Sequence, residues 1–91
     1  MKIAYDPEKR ARTYLERGLD FLDAAHVFEG QHFTAPDLRR QYGETRYITI
    51  GWLGTRLVVF VWTPRGGDVC RVISMRKANE REQAKYAKHL A

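Results

Sequence analysis

The chain has 91 residues, enough for one small domain and too few for two. Its formal net charge of +5 favours an anionic partner, and the dominance of arginine among the cations favours phosphate, because a planar guanidinium pairs two oxygens at once. The single cysteine, Cys70, excludes an intrachain disulfide and a cysteine-built metal cluster, and the longest apolar run, Leu57 to Trp62, is far too short to span a membrane; with no apolar signal segment in MKIAYDPEK, the expected location is the cytoplasm.

Lys2 to Tyr5 reads as a short strand. Asp6 and Pro7 supply a cap and a first helical residue, and the helix they start runs to about Arg17. Ala11, Tyr14 and Leu15 form its apolar stripe, and Gly18 ends it in a left-handed turn. Asp20 caps a second helix with the stripe Phe21, Ala24, Ala25 and Phe28, closed by Gly30, so the two helices form a hairpin. Gln31 to Ala35 has the composition of a short strand, and PDLRRQYG at 36–43 reads as a polar, mobile surface loop.

Three strands follow. In 45–53, Ile48, Ile50 and Trp52 form the face expected to be buried, opposite Tyr47, Thr49 and Gly51. Strand 56–63 is apolar on both faces, which marks a central strand. Strand 68–75 sets Arg71, Ile73 and Met75 against Cys70, Val72 and Ser74. Asn79 and Glu82 have capping-box spacing at the start of a last helix, whose row is Ala78, Glu82, Tyr86 and Leu90. The order is β-α-α-(β)-β-β-β-α, an α+β fold with an antiparallel sheet and a helical hairpin on one face.

No phosphate-cradling glycine loop, HExxH or GxSxG motif is present, and His26, His32 and His89 are scattered. The chemical signal is arginine. Arg46, Arg65, Arg71 and Arg76 come from strand ends, a turn and a helix entry, and brought together they would hold a phosphodiester and stabilise the charge that builds on it during cleavage. The alternative is ion pairing with Glu44, Asp68 and Glu82. Parity opposes convergence, since Arg71 and Arg76 are five apart and a regular strand turns them to opposite faces. Glu82 fits either an acid, base or orienting group beside the arginines or a purely structural cap. Tyr86 fits either a stacking or proton-donating group or a core residue with its hydroxyl at the rim. Trp52, Trp62 and Tyr47 are candidates for stacking on bases.

In order, the segments YDPEK at 5–9, RGLDF at 17–21, AAHVF at 24–28, RYITIG at 46–51, RLVVFVWTPRG at 56–66 and RVISMRKANEREQAKY at 71–86 resemble the BrnT ribonuclease toxins of type II toxin–antitoxin pairs, with their RelE/ParE-like fold. The resemblance implies metal-free cleavage of RNA that blocks translation, with no cofactor. Arg71, Arg76, Glu82 and Tyr86 would be the catalytic set, and Arg46, Arg65 and Lys77 the RNA contacts. It also implies a BrnA-like ribbon-helix-helix antitoxin, a heterotetramer around the antitoxin dimer, and operator DNA bound only through the antitoxin. The chain departs from the family's frequent pattern at Thr13, at Glu16-Arg17-Gly18 and in the extra glycine of Gly66-Gly67. Two other functions suit the same residues: a non-enzymatic corepressor docking an acidic helix on the sheet, and a ParE-like toxin directed at gyrase.

Overall fold

The computed structural model describes residues 1–90. Its elements are β1 (Lys2–Ala4), α1 (Pro7–Arg17), a 3₁₀ turn (Phe21–Asp23) running into α2 (Ala24–Glu29), β2 (His32–Pro36), β3 (Tyr47–Leu53), β4 (Arg56–Pro64), β5 (Val69–Lys77) and α3 (Glu80–Tyr86). The caps are those the sequence encodes. The Asp6 side chain accepts from the Glu8 amide, that of Asp20 from the Leu22 amide, and Asn79 with Glu82 closes a complete capping box. Gly18, at φ 68°, donates its N–H to the Tyr14 carbonyl and ends α1 in the left-handed conformation that suits glycine.

The sheet has five strands in the order β1-β5-β4-β3-β2. Chain neighbours pair antiparallel from β2 through β5, but β1 pairs parallel to β5, Ile3 opposite Cys70. The expectation of a wholly antiparallel sheet is therefore corrected to a mixed one. Hairpin connections fix the direction only of strands adjacent in sequence, and β1 meets β5 after the rest of the chain has intervened.

Both faces of the sheet are covered. On one, Phe21, Ala24 and Val27 pack with Leu19 against Val58, Phe60, Cys70, Val72 and Met75. On the other, Ala78 and Leu90 close over Ile50, Leu57 and Val59, with Tyr86 partly buried beside them. β4 is the central strand, as its two apolar faces require. On β3 the expected face is buried at Ile50 alone, and the opposite face is covered as well. Thr49 and Gly51 lie on the fully covered side, whereas Ile48 and Trp52 remain half-buried. Thr49 is satisfied there by Trp62 Nε1 at 2.9 Å and Thr34 Oγ1 at 2.7 Å. At Gly51 a Cβ would lie 2.7 Å from Val27 Cγ1, so the missing side chain is what lets α2 approach.

α1 departs further from expectation. Its apolar stripe faces outward, Tyr14 being 62 % and Leu15 86 % exposed, and no residue of the helix is buried. The polar side is the one turned to the body. Arg10 Nε and Nη2 donate to Asp20 at 2.8 and 2.9 Å, and Arg17 Nη1 donates to the Met75 carbonyl at 2.7 Å. The expected helical hairpin is not formed by helix-on-helix packing: α1 lies against β5 and α2 against β3, and only the second buries an apolar face.

The 36–43 segment is tied down rather than loose. The Asp37 side chain is fully buried and accepts from Arg39 Nε and Nη2, each at 2.8 Å, and from Tyr42 Oη at 2.9 Å. These bonds hold its carboxyl well below the usual carboxylate range, with burial opposing them.

Candidate functional site

A β-bulge decides where the arginines point. Between β4 and β5, Val61 pairs with Ser74 but Trp62 with Val72, which leaves Ile73 as an extra residue. Arg71 therefore stands opposite Thr63 and Arg76 opposite Val59, partners of the same parity, and the two arginines share one face of the sheet. The regular alternation that separated them in the sequence is broken once, between them. Arg46 shares that face, because it precedes Tyr47, whose partner Trp62 lies on the other. Lys77 does not. It pairs with Val58 and points to the α2 side, as alternation after Arg76 demands.

On the shared face the arginines form two groups. The first surrounds Glu44, whose Oε2 accepts from Arg46 Nε at 2.9 Å and whose Oε1 accepts from Arg65 Nη1 at 3.1 Å. The Arg46 hydrogen bond, with the Arg65 charge behind it, holds the Glu44 carboxyl below its ordinary range against the effect of burial. Arg71 joins these residues in lining a depression of ≈ 270 Å³ with Asp6 and Lys9. The second group is Arg76 and Glu82, paired through Nη1–Oε1 at 2.7 Å and Nη2–Oε2 at 2.9 Å. Glu82 Oε1 also accepts from the Asn79 amide at 2.9 Å. The Arg76 bond lowers the Glu82 pKa, so the carboxylate is ionised at neutral pH and accepts hydrogen bonds rather than donating them. Glu82 and Tyr86 line an open groove of ≈ 440 Å³ with Phe33, Ile48, Ile50 and Val59, and the rings of Tyr86 and Phe33 stand 5.7 Å apart.

The 36–43 segment bridges the two groups. The charge of Arg39 acts on Arg76, and the Arg46 guanidinium lies 4.1 Å from the centre of the Tyr42 ring, whose hydroxyl is bonded to Asp37. These residues were missed in the sequence. The available signal was Pro36-Asp37, a turn-initiating pair whose carboxylate bonds backbone two residues on.

The other candidates fall elsewhere. Trp62 donates to Thr49 inside the sheet-helix layer, with Tyr47 stacked on it at 4.9 Å, and Trp52 donates to the Leu90 carbonyl at 2.8 Å. His26 is exposed near Glu29, and His32 bonds the Gly30 carbonyl. Burial pushes the Cys70 thiol up to about 12, which leaves it unreactive. Among the described residues no group of three or more His, Cys, Asp or Glu side chains could hold a metal ion, and no helix is long and apolar enough to cross a membrane.

No curated protein matches the chain. Among solved structures, the crystal structure of the Brucella abortus ribonuclease toxin BrnT is similar, with 29 % sequence identity and a TM-score of 0.63. The likeness covers 88 % of this chain and 99 % of that one. It supports the α+β architecture of a mixed five-stranded sheet with three α-helices. Residues 5–82 match the family described as "Ribonuclease toxin, BrnT, of type II toxin-antitoxin system". That match spans most of the sequence, including both arginine groups, and on it the chain belongs to the BrnT family of ribonuclease toxins.

Proposed function

We propose that this protein is a metal-independent endoribonuclease of the RelE-like kind, acting in the cytoplasm to stop translation, with Arg71, Arg76, Glu82 and Tyr86 as its catalytic set and Arg46 and Arg65 as RNA contacts. What carries this is the state of Arg76. Its guanidinium is pinned by both Glu82 oxygens, yet the side chain is 46 % exposed beside the groove that Tyr86 lines. A phosphodiester arriving there competes with Glu82 for the same nitrogens. Binding it frees a carboxylate at the point where a proton must be removed.

The 2′-hydroxyl then loses its proton to Glu82 and attacks the adjacent phosphorus. The bond to the 5′-oxygen breaks, a proton passes to that oxygen from Tyr86, and the products are a 2′,3′-cyclic phosphate and a 5′-hydroxyl end. Arg76 and Arg71 offset the charge on the pentacoordinate phosphorus, which is the task a metal performs in other nucleases. Family membership brings an antitoxin partner. We take it to be a BrnA-like ribbon-helix-helix protein that assembles with the toxin as a heterotetramer and carries the operator binding. We leave Lys77 out of the RNA contacts, because it lies on the opposite face of the sheet.

The test is purified protein with RNA in EDTA. Cyclic-phosphate ends are expected, and Arg76→Ala is expected to lower the rate at least 100-fold while circular dichroism and antitoxin binding stay unchanged. RNA left intact at high protein concentration in EDTA, but cut when a divalent ion is restored, rejects the metal-free mechanism.

A further inference from the structure

The inward-turned polar side of α1 lies beside β5 and the first arginine group. Lys9, Thr13 and Arg17 are spaced i, i+4, i+8 and share one row of the helix. Lys9 lines the depression that holds Arg46, Arg65 and Arg71, and it also lines a second one of ≈ 160 Å³ with Arg12, Thr13, Arg17 and Ser74. The two depressions abut at Lys9 and form one groove along β5. It runs from Arg71 to the level of Met75, where Arg17 is anchored to the backbone, one residue before Arg76. That is a run of ~13 Å at the rise of a strand.

Six cationic side chains line this groove against the three carboxylates of Asp6, Glu16 and Glu44. Glu44 is already engaged by Arg46 and Arg65, and Lys9, Arg12 and Arg71 have no ion-pair partner among the described residues. The large apolar side chains of α1, Tyr14 and Leu15, lie on its outward side rather than in the groove. A protein ligand would want apolar anchors at its centre, whereas a sugar–phosphate chain wants a row of cations.

We infer that the groove between α1 and β5 is a track for the phosphate backbone of single-stranded RNA, with Lys9 and Arg12 as positioning residues that lead the strand toward Arg71 and Arg76. This rests on the ribonuclease reading of the site but adds RNA-binding residues outside the catalytic set.

The experiment compares wild type, Lys9→Ala/Arg12→Ala and the control Lys2→Ala/Lys88→Ala, which removes the same charge elsewhere. Each is assayed on a long single-stranded RNA and on a minimal oligonucleotide, across a salt series. For Lys9→Ala/Arg12→Ala the expected result is unchanged kcat on the minimal oligonucleotide and a KM several-fold higher on the long RNA. The slope of log affinity against log salt should be shallower by up to about 1.4, at roughly 0.7 for each phosphate no longer neutralised. Lys9→Arg/Arg12→Lys restores both parameters, and the control variant leaves them as in wild type. If wild type cuts RNA and the groove variant keeps the wild-type KM and salt slope, the track is wrong and the nuclease reading stands. If wild type binds RNA and the groove variant loses that binding, but neither cuts, the track stands and the nuclease reading falls. Equal loss of binding to polyglutamate and to RNA marks an unspecific charge patch and overturns the track.

Discussion

Glu82 is held from three directions, by two Arg76 nitrogens and by the Asn79 amide. One carboxylate thus completes a helix cap and orients the arginine that the proposed mechanism needs, so the structural and functional readings of the sequence describe a single contact network. The acid sensitivity of this network has a definite sign. Because the folded-state pKa is lowered, Glu82 contributes its full stabilisation above the unfolded carboxylate value, near ~4.3, and loses it as pH falls through the folded value. Glu82→Gln is expected to cost about 0.5–1 kcal/mol at neutral pH, and the difference in Tm from wild type should shrink as pH drops below about 4. Thermal melts at several pH values check this; a difference independent of pH would mean that the carboxylate charge is not what the pair uses. The residue types were legible in the sequence, and Glu82 was among the carboxylates weighed as arginine partners, but its match to Arg76 in particular was not, because it depends on where β5 stops and α3 begins.

Caps, turns and apolar periodicity located α1, α2, β3, β4 and α3 because those signals act over a few residues. Which face of an element points inward is a different matter. Periodicity gives the direction of the apolar side, not the side that is covered, and on α1 the bonds from Arg10 to Asp20 and from Arg17 to Met75 turn the polar row toward the protein. On β3 the expected face is covered at Ile50, but the covering of the opposite face was missed for a related reason. Thr49 and Gly51 look unsuited to a core, yet one has two hydrogen-bond partners and the other has no Cβ to collide with α2. Gly51→Ala places a methyl group within 2.7 Å of Val27 and 2.9 Å of the His32 Cβ, and should destabilise by roughly 1–3 kcal/mol in urea unfolding. A loss of only a few tenths would show that α2 yields easily and that its approach to β3 is not tight.

Across the whole molecule, the sheet gathers charge from segments far apart in sequence: Arg46 and Arg65 bracket the β3–β4 hairpin, Arg71 and Arg76 lie on β5, and Arg39 comes from the 36–43 segment. The α+β class was legible from the grouping of strands after helices. The partner of β1 and the order imposed by Asp37 were not, since both depend on pairings between distant residues, on which local pattern is silent. The extra residue in β5 bears on how the chain tolerates a change in length. With Ile73 removed, Val72 and Ser74 become neighbours whose partners, Trp62 and Val61, are already consecutive on β4. The shortened strand would pair without interruption, and every charge would stay on its present side. The deletion should therefore fold and keep its antitoxin, while straightening the local coil of the sheet and altering the spacing between Arg71 and Arg76. A soluble, cooperatively melting variant with reduced cleavage would bear this out, whereas an unfolded one would mean that the kink itself is indispensable. A one-residue insertion just before Arg76 has no such escape, because it would rotate that side chain through the sheet and into the layer beneath α2.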